Sequence, residues 1–171
     1  TGKTPVLIDT ANREASDLLE VCEYMEDQYG ENFELIARMD TCGENFAETA
    51  REVDKEDGYL TGRGMSVDAV EGVARELDSA GYRENVDLAI SSGMGNPEKA
   101  QQFVEAYKEF KEEEDYAMFD LVGAGSFEDS ENMHATSDIY EVEGESIAKV
   151  GREQDPAELE AYKQESMVQV V

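Results

Sequence analysis

The sequence predicts an α/β protein organised around a parallel sheet, and three observations carry that expectation. Short apolar runs of strand length alternate with longer stretches whose apolar residues recur at helical spacing. Strands separated by helices pair in parallel, because the crossover returns the chain to the start of the next strand. Four such strands each end in residues that can turn tightly or do chemistry. Four strands fit either an open sheet or half of an eight-stranded barrel, and periodicity does not choose between them.

In chain order, Val6-Leu7-Ile8 is the first run, and it ends in Asp9-Thr10. The helix after it starts near Asn12 and sets Ala15, Leu18, Leu19, Cys22, Met25 and Tyr29 on one stripe. A second strand, Phe33 to Ala37, closes on Arg38-Met39-Asp40-Thr41. The polar stretch from Cys42 to Met65, with glycines at 58, 62 and 64, is too long for a turn. It is expected to be an elaborated loop with some helix inside. Ser66 opens a helix bearing Val67, Val70, Val73, Ala74 and Leu77, and the strand Val86 to Ile90 then runs into Ser91-Ser92-Gly93. Asn96-Pro97 is a helix start with proline where its missing N–H costs nothing. Ala100, Phe103, Val104, Tyr107 and Phe110 give that helix its buried face. The strand Ala117 to Val122 delivers Gly123-Ala124-Gly125-Ser126. A hairpin is expected from Ile139 to Val142 and Ile147 to Val150, turned at Glu143-Gly144. Asp155-Pro156-Ala157-Glu158 then has the capping-box pattern of a final helix.

Composition narrows the class. The chain has 171 residues, 40% of them hydrophobic, enough for one domain with a core. Its 42 Asp and Glu against 14 Lys and Arg leave a formal charge of -28. Regular apolar spacing argues against a disordered acidic chain. The want of a basic patch argues against nucleic acid as a partner. The acids are spread through every segment, as on the surface of an enzyme adapted to concentrated salt, where the Debye length falls to roughly 3 Å. Cys22 and Cys42 make neither a disulfide framework nor a zinc site; Cys22 is expected in the core and Cys42 in a loop. No signal peptide and no membrane-length apolar run are present, so a reducing cytoplasm and no membrane are expected. Since the chain begins at Thr1, it is expected to be a processed product or a piece of a longer protein.

In parallel α/β folds the ligand lies at the carboxyl ends of the strands. Here those ends carry Asp9-Thr10, then Arg38 with Asp40-Thr41, then Ser91-Ser92-Gly93, then Gly123-Ala124-Gly125-Ser126. One Asp or Gly after a strand is ordinarily a turn or a cap; four in succession point to a site. The last two resemble a phosphate cradle, because glycine lets backbone N–H groups approach an anion closely. A dinucleotide site is excluded, since Glu128 stands where the third glycine belongs. A calcium loop at Asp54-Lys55-Glu56-Asp57-Gly58 is excluded because its glycine comes one position early.

The ordered series Val6-Leu7-Ile8-Asp9-Thr10, Ala37-Arg38-Met39-Asp40-Thr41, Ile90-Ser91-Ser92-Gly93 and Val122-Gly123-Ala124-Gly125-Ser126 resembles the nicotinate phosphoribosyltransferases. So do Ala135-Thr136-Ser137-Asp138-Ile139 and Ala148-Lys149-Val150-Gly151-Arg152. The resemblance spans nearly the whole chain. It implies the C-terminal half of a type II phosphoribosyltransferase barrel: strand–helix units over about 4–126, a hairpin over about 138–150 and a helix over about 156–165. The implied reaction joins nicotinate to 5-phosphoribosyl-1-diphosphate, assisted by ATP and Mg2+, in NAD synthesis. By the same resemblance Asp9 and Asp40 are catalytic, and Arg38, Gly62 and Gly64 bind substrate. Ser91, Ser92, Gly93, Gly123, Ala124, Gly125 and Ser126 hold the 5-phosphate. No metal ligand is assigned, and a homo-oligomer that includes the missing N-terminal half is expected.

Those residue types suit the chemistry. Displacement of diphosphate builds positive charge on the ribose anomeric carbon, which a fixed carboxylate stabilises. A guanidinium fork matches the two oxygens of the nicotinate carboxylate. The plainer alternative for Arg38 and Asp40 is a structural ion pair at the strand end. The family's catalytic histidine loop and aromatic base-binding region lie upstream of this chain, and His134 is read as a surface or loop residue. Alternatives are another phosphate-binding barrel enzyme, such as the quinolinate relative, or a non-catalytic flavodoxin-like binding domain.

Overall fold

The computed structural model describes residues 3–9, 12–51, 57–123, 141–142 and 145–146. The chain divides into two compact units, Thr1–Asn132 and Met133–Val171. In the first, β1 (Thr4–Ile8), α1 (Glu14–Tyr29), β2 (Leu35–Met39), α2 (Val67–Ser79), β3 (Val86–Ile90), α3 (Pro97–Glu113) and β4 (Leu121–Val122) follow one another. The predicted α/β architecture with a parallel sheet is present: the order is β1-β2-β3-β4, every neighbouring pair parallel. Among the described residues no helix is long and apolar enough to cross a membrane.

Register explains which residues face the helices. Val6, Ala37 and Leu88 stand in one row, and Ile8, Met39 and Ile90 in the next. Because side chains alternate across a strand, both rows point one way, and all but the half-buried Val6 are buried. Leu18 and Cys22 of α1, Val70, Val73 and Leu77 of α2, and Phe103 and Phe110 of α3 complete this core. A large apolar side chain removed from water stabilises by about 1.5–3 kcal/mol. The opposite row, Leu7, Arg38, Ala89 and Leu121, lies on the other face. There Leu7 and Leu121 are 49% and 43% exposed. Right-handed crossovers between successive strands of one sheet put their helices on the same side, which leaves the second face without a helix among the described residues.

Several boundaries differ from the sequence expectation for physical reasons. The α1 stripe holds through Met25, but Tyr29 is exposed, since the helix ends there at Gly30. The helix begins after Arg13, not at Asn12, which adopts a left-handed φ of 58°. The second strand is shifted two residues onward: Phe33 is buried just before it, and Arg38 and Met39 lie within it. On α3 the buried face is Lys99, Phe103, Ala106 and Phe110, and Val104 is exposed. Asn96 caps that helix as expected, its side-chain oxygen accepting from the N–H groups of Glu98 and Lys99.

The fourth strand is only Leu121–Val122; just before it the Asp120 N–H donates to the Leu88 carbonyl at 2.8 Å, while the Leu88 N–H is taken by the Asp120 side chain. Its carboxylate accepts from the Leu88 N–H at 2.8 Å and from the Arg83 guanidinium at 2.9 Å. Arg83 in turn donates to the carbonyls of Val86 and Ala117. Between Cys42 and Met65 the described residues form turns and one isolated bridge, Asp57 to Thr61, with no helix among them. This loop packs on α2 where Gly72 leaves room for Thr49: a β-carbon there would lie 2.4 Å from the Thr49 β-carbon. Alanine's helix advantage of roughly 1 kcal/mol over glycine is outweighed at such a contact.

In the second unit β5 (Glu141–Val142) pairs antiparallel with β6 (Glu145–Ser146), and the expected turn at Glu143-Gly144 lies outside the described residues. The second arm starts two residues earlier than expected. The predicted final helix and His134 lie outside the described residues.

The two cysteines separate as the sequence suggests. Cys22 is buried and Cys42 half-buried, both free. Burial pushes the Cys22 thiol up to about 12 by disfavouring its thiolate. A disulfide reagent added to the native chain at neutral pH is therefore expected to label Cys42 and leave Cys22 untouched until the protein unfolds. Equal labelling of both thiols in the folded state would contradict this packing.

Candidate functional site

Parallel strands in register bring their carboxyl ends to one edge. Ile8, Met39, Ile90 and Val122 are aligned across the sheet, so Asp9, Asp40, Ser91 and Gly123 are the next residues along that edge. The Asp40 N–H donates to the Ile8 carbonyl, the Ser91 N–H to that of Met39, and the Gly123 N–H to that of Ile90. These bonds carry the sheet one residue past its strands and hold the start of each loop.

Arg38 and Asp40 share a face two residues apart, and their side chains meet at 3.1 Å. Arg38 keeps about half of its side chain in solvent, and Asp40 a third. An ion pair this exposed contributes little to stability, roughly 0–1 kcal/mol. Its guanidinium retains donors for a ligand.

Gly123 adjoins Ser91: a β-carbon on Gly123 would touch that of Ser91 at 3.4 Å. The Ser91 hydroxyl donates to the Met39 carbonyl at 3.3 Å. Ser92 and Gly93 both take left-handed backbone, with φ of 61° and 79°. For a non-glycine residue that conformation is uncommon and concentrates at functional sites and tight turns. The Asn96 N–H donates back to the Gly93 carbonyl and closes the turn into α3. Ala124, Gly125 and Ser126 lie outside the described residues.

Gly62 and Gly64 belong to the loop that returns over the end of β2. Gly64 has φ of 72°, donates to the Asn45 carbonyl at 2.7 Å and lies against Gly43. A β-carbon at Gly64 would stand 3.1 Å from the Gly43 α-carbon. The observed role of this glycine is to close the loop on itself.

Two buried polar groups escaped the sequence reading. Glu14, wholly buried at the start of α1, accepts from the Thr41 hydroxyl and the Glu48 N–H, tying the helix to the loop after β2. Lys99, in the first turn of α3, is 7% exposed and is the only buried cation among the described residues. Its ammonium donates to the Ser92 carbonyl at 2.8 Å and lies 5.5 Å from the ring centre of Tyr59 and 5.7 Å from that of Phe103. The spacing of Lys99 with Phe103, Ala106 and Phe110 is the signal that marks its burial.

Among the described residues no group of three or more His, Cys, Asp or Glu could hold a metal ion. A shallow cavity of some 430 Å3 between α1 and α2 is lined by Ser16, Glu48, Thr49 and Gly72 among others, and by none of the strand-end residues. It is a groove between the two helices and the loop after β2.

Fold and edge together define an α/β protein whose parallel strands present an acid–arginine pair and two adjoining serine- and glycine-bearing loops at one end. No family model, no curated protein and no solved structure matches the chain.

Proposed function

We propose that this chain is the C-terminal half of a nicotinate-type phosphoribosyltransferase barrel, and that the complete barrel forms nicotinate mononucleotide from nicotinate and 5-phosphoribosyl-1-diphosphate. The observation that carries the reading is the strand order. In β1-β2-β3-β4 each strand lies beside its successor, as in a barrel wall. Flavodoxin-like sheets reverse direction at a switch point, in the order 2-1-3-4-5, and the described sheet has no reversal. The open face gives further support. Parallel sheets are covered on both faces, and Leu7 and Leu121 are exposed on a face that a closed barrel would turn inward.

In this proposal the nicotinate nitrogen attacks the ribose anomeric carbon, forming the N–C bond as the C–O bond to diphosphate breaks. The Asp40 carboxylate opposes the positive charge that grows on the ribosyl group, with Asp9 on the neighbouring strand end. Arg38 receives the nicotinate carboxylate, and the loops from Ser91 and Gly123 hold the 5-phosphate through backbone N–H groups. Magnesium and ATP are expected of the complete enzyme in a salt-rich cytoplasm.

The test is turnover in molar potassium chloride. The complete protein, given nicotinate, 5-phosphoribosyl-1-diphosphate, ATP and magnesium, is expected to release diphosphate and nicotinate mononucleotide, and the 171-residue chain alone to release neither. Activity of the short chain would overturn the half-barrel. Absence of turnover from the complete, folded protein would overturn the reaction.

A further inference from the structure

Lys99 stands where three physical effects oppose a positive charge. The residue is 7% exposed, and burial costs an ammonium part of its hydration. It lies in the first turn of α3, where the helix dipole is positive and disfavours cations. In a chain with 42 acidic residues, it is buried without a salt bridge among the described residues, whereas the well-covered Arg83 side chain is paired with Asp120. Burial pulls its pKa below the ordinary lysine value, and Asp40 acts in the opposite sense from a distance.

What holds it there is specific. The Ser92 carbonyl accepts one of its protons at 2.8 Å, and the Tyr59 and Phe103 rings flank it. Tyr59 is itself fixed, its N–H donating to the Gln102 side chain and its hydroxyl accepting from Asn96. The ammonium has three donors, so the observed bond leaves two available among the described contacts. It lies against the Ser92–Gly93 turn: a β-carbon on Gly93 would be 3.8 Å from the Lys99 nitrogen. Ser91, the preceding residue, adjoins Gly123.

We propose that Lys99 is the charged base of a phosphoryl-binding site, donating to a phosphate dianion seated on the Ser91–Gly93 turn beside Gly123. The anion supplies the direct ion pair that this lysine lacks among the described residues. The inference rests on the phosphate site of the proposed function, though not on the identity of the base or on the reaction. Inorganic phosphate and a sugar phosphate share the chemistry that Lys99 recognises; the backbone N–H groups and Gly123 would sense the remainder of an ester.

Equilibrium dialysis of radiolabelled inorganic phosphate, and separately of ribose 5-phosphate, against the folded chain in molar potassium chloride tests this. Lys99→Met is expected to weaken binding of both by about tenfold or more, while Lys99→Arg, which keeps the charge, retains most of it. Tighter binding of ribose 5-phosphate than of inorganic phosphate would identify an ester as the ligand; equal binding would identify the free anion, and either agrees with the proposal. Unchanged affinity in Lys99→Met overturns it and leaves the phosphate loops standing. Loss of affinity in Lys99→Met with none in Gly123→Val supports the lysine site and counts against the two-loop cradle. No binding by the unsubstituted chain overturns both. A readout that needs no substitution is the lysine ε-carbon resonance displaced by the Tyr59 and Phe103 rings. It is expected to move as phosphate binds, and its indifference to bound phosphate would overturn the proposal even if Lys99→Met failed to fold.

Discussion

On the proposed phosphoribosyl transfer, Asp40→Asn in the complete protein is expected to lower kcat by roughly 10²-fold or more while changing substrate affinity far less. The substitution keeps the shape and removes the charge, so it acts where positive charge develops: in the transition state, not in the bound substrate. Arg38→Lys is expected to act differently, keeping the charge, losing the planar fork, and chiefly raising KM for nicotinate. The two residues meet at 3.1 Å, so each substitution also frees the other partner. The pair is half-exposed, and the stability at stake is roughly 1 kcal/mol or less, too little to account for a hundredfold rate effect. Steady-state kinetics with each substrate varied in turn separates the effects. If both variants melt early yet turn over normally when folded, the pair is a structural ion pair and the catalytic reading fails.

Thermal stability is expected to rise by about 10 °C or more between dilute buffer and molar potassium chloride. The formal charge is -28, and Lys3, Arg13, Arg38, Arg51, Arg75 and Arg83 are already paired with nearby acids. What remains is unbalanced acid on the outer faces of the helices. Glu23 and Asp27 lie one turn apart on α1, as do Glu105, Glu109 and Glu113 on α3, all exposed. Each like-charged pair at that spacing destabilises by about 0.2–0.5 kcal/mol in dilute solution, and longer-range repulsion across the molecule adds to it. A chain of this size shifts by about 2–4 °C per kcal/mol, so a few kcal/mol of relieved repulsion produces the expected change. Chloride is the anion of choice, because sulfate would add its own exclusion effect. A melting temperature flat across that range would remove the case for salt adaptation.

Where local physics decides, the chain is legible. The strand Val86 to Ile90 is found at its expected ends, because a short apolar run bounded by polar residues has few other solutions. Asn96-Pro97 starts α3 as expected, because a cap and a proline act within one turn. Ser66 precedes α2, and its apolar stripe is buried as the spacing requires. The misreadings share one cause, which is that partners distant in sequence override polarity. Arg38 reads as the end of a strand, yet it lies inside one because its row faces the open side of the sheet. Ala117 to Val122 reads as a full strand, yet the paired strand is only Leu121–Val122, and the Leu88 N–H bonds the Asp120 carboxylate, not a backbone carbonyl.

The sequence by itself determined the α/β class, the three long helices and the residues that follow each strand, since periodicity, caps and turn residues are properties of neighbours along the chain. Only the tertiary structure decided that the four strands lie in consecutive order, that Ser91 adjoins Gly123, and that Lys99 is buried under the Ser92–Gly93 turn. Those facts depend on contacts across tens of residues. A lysine at the start of a helix looks like a solvated charge until the loop and the rings of Tyr59 and Phe103 close around it.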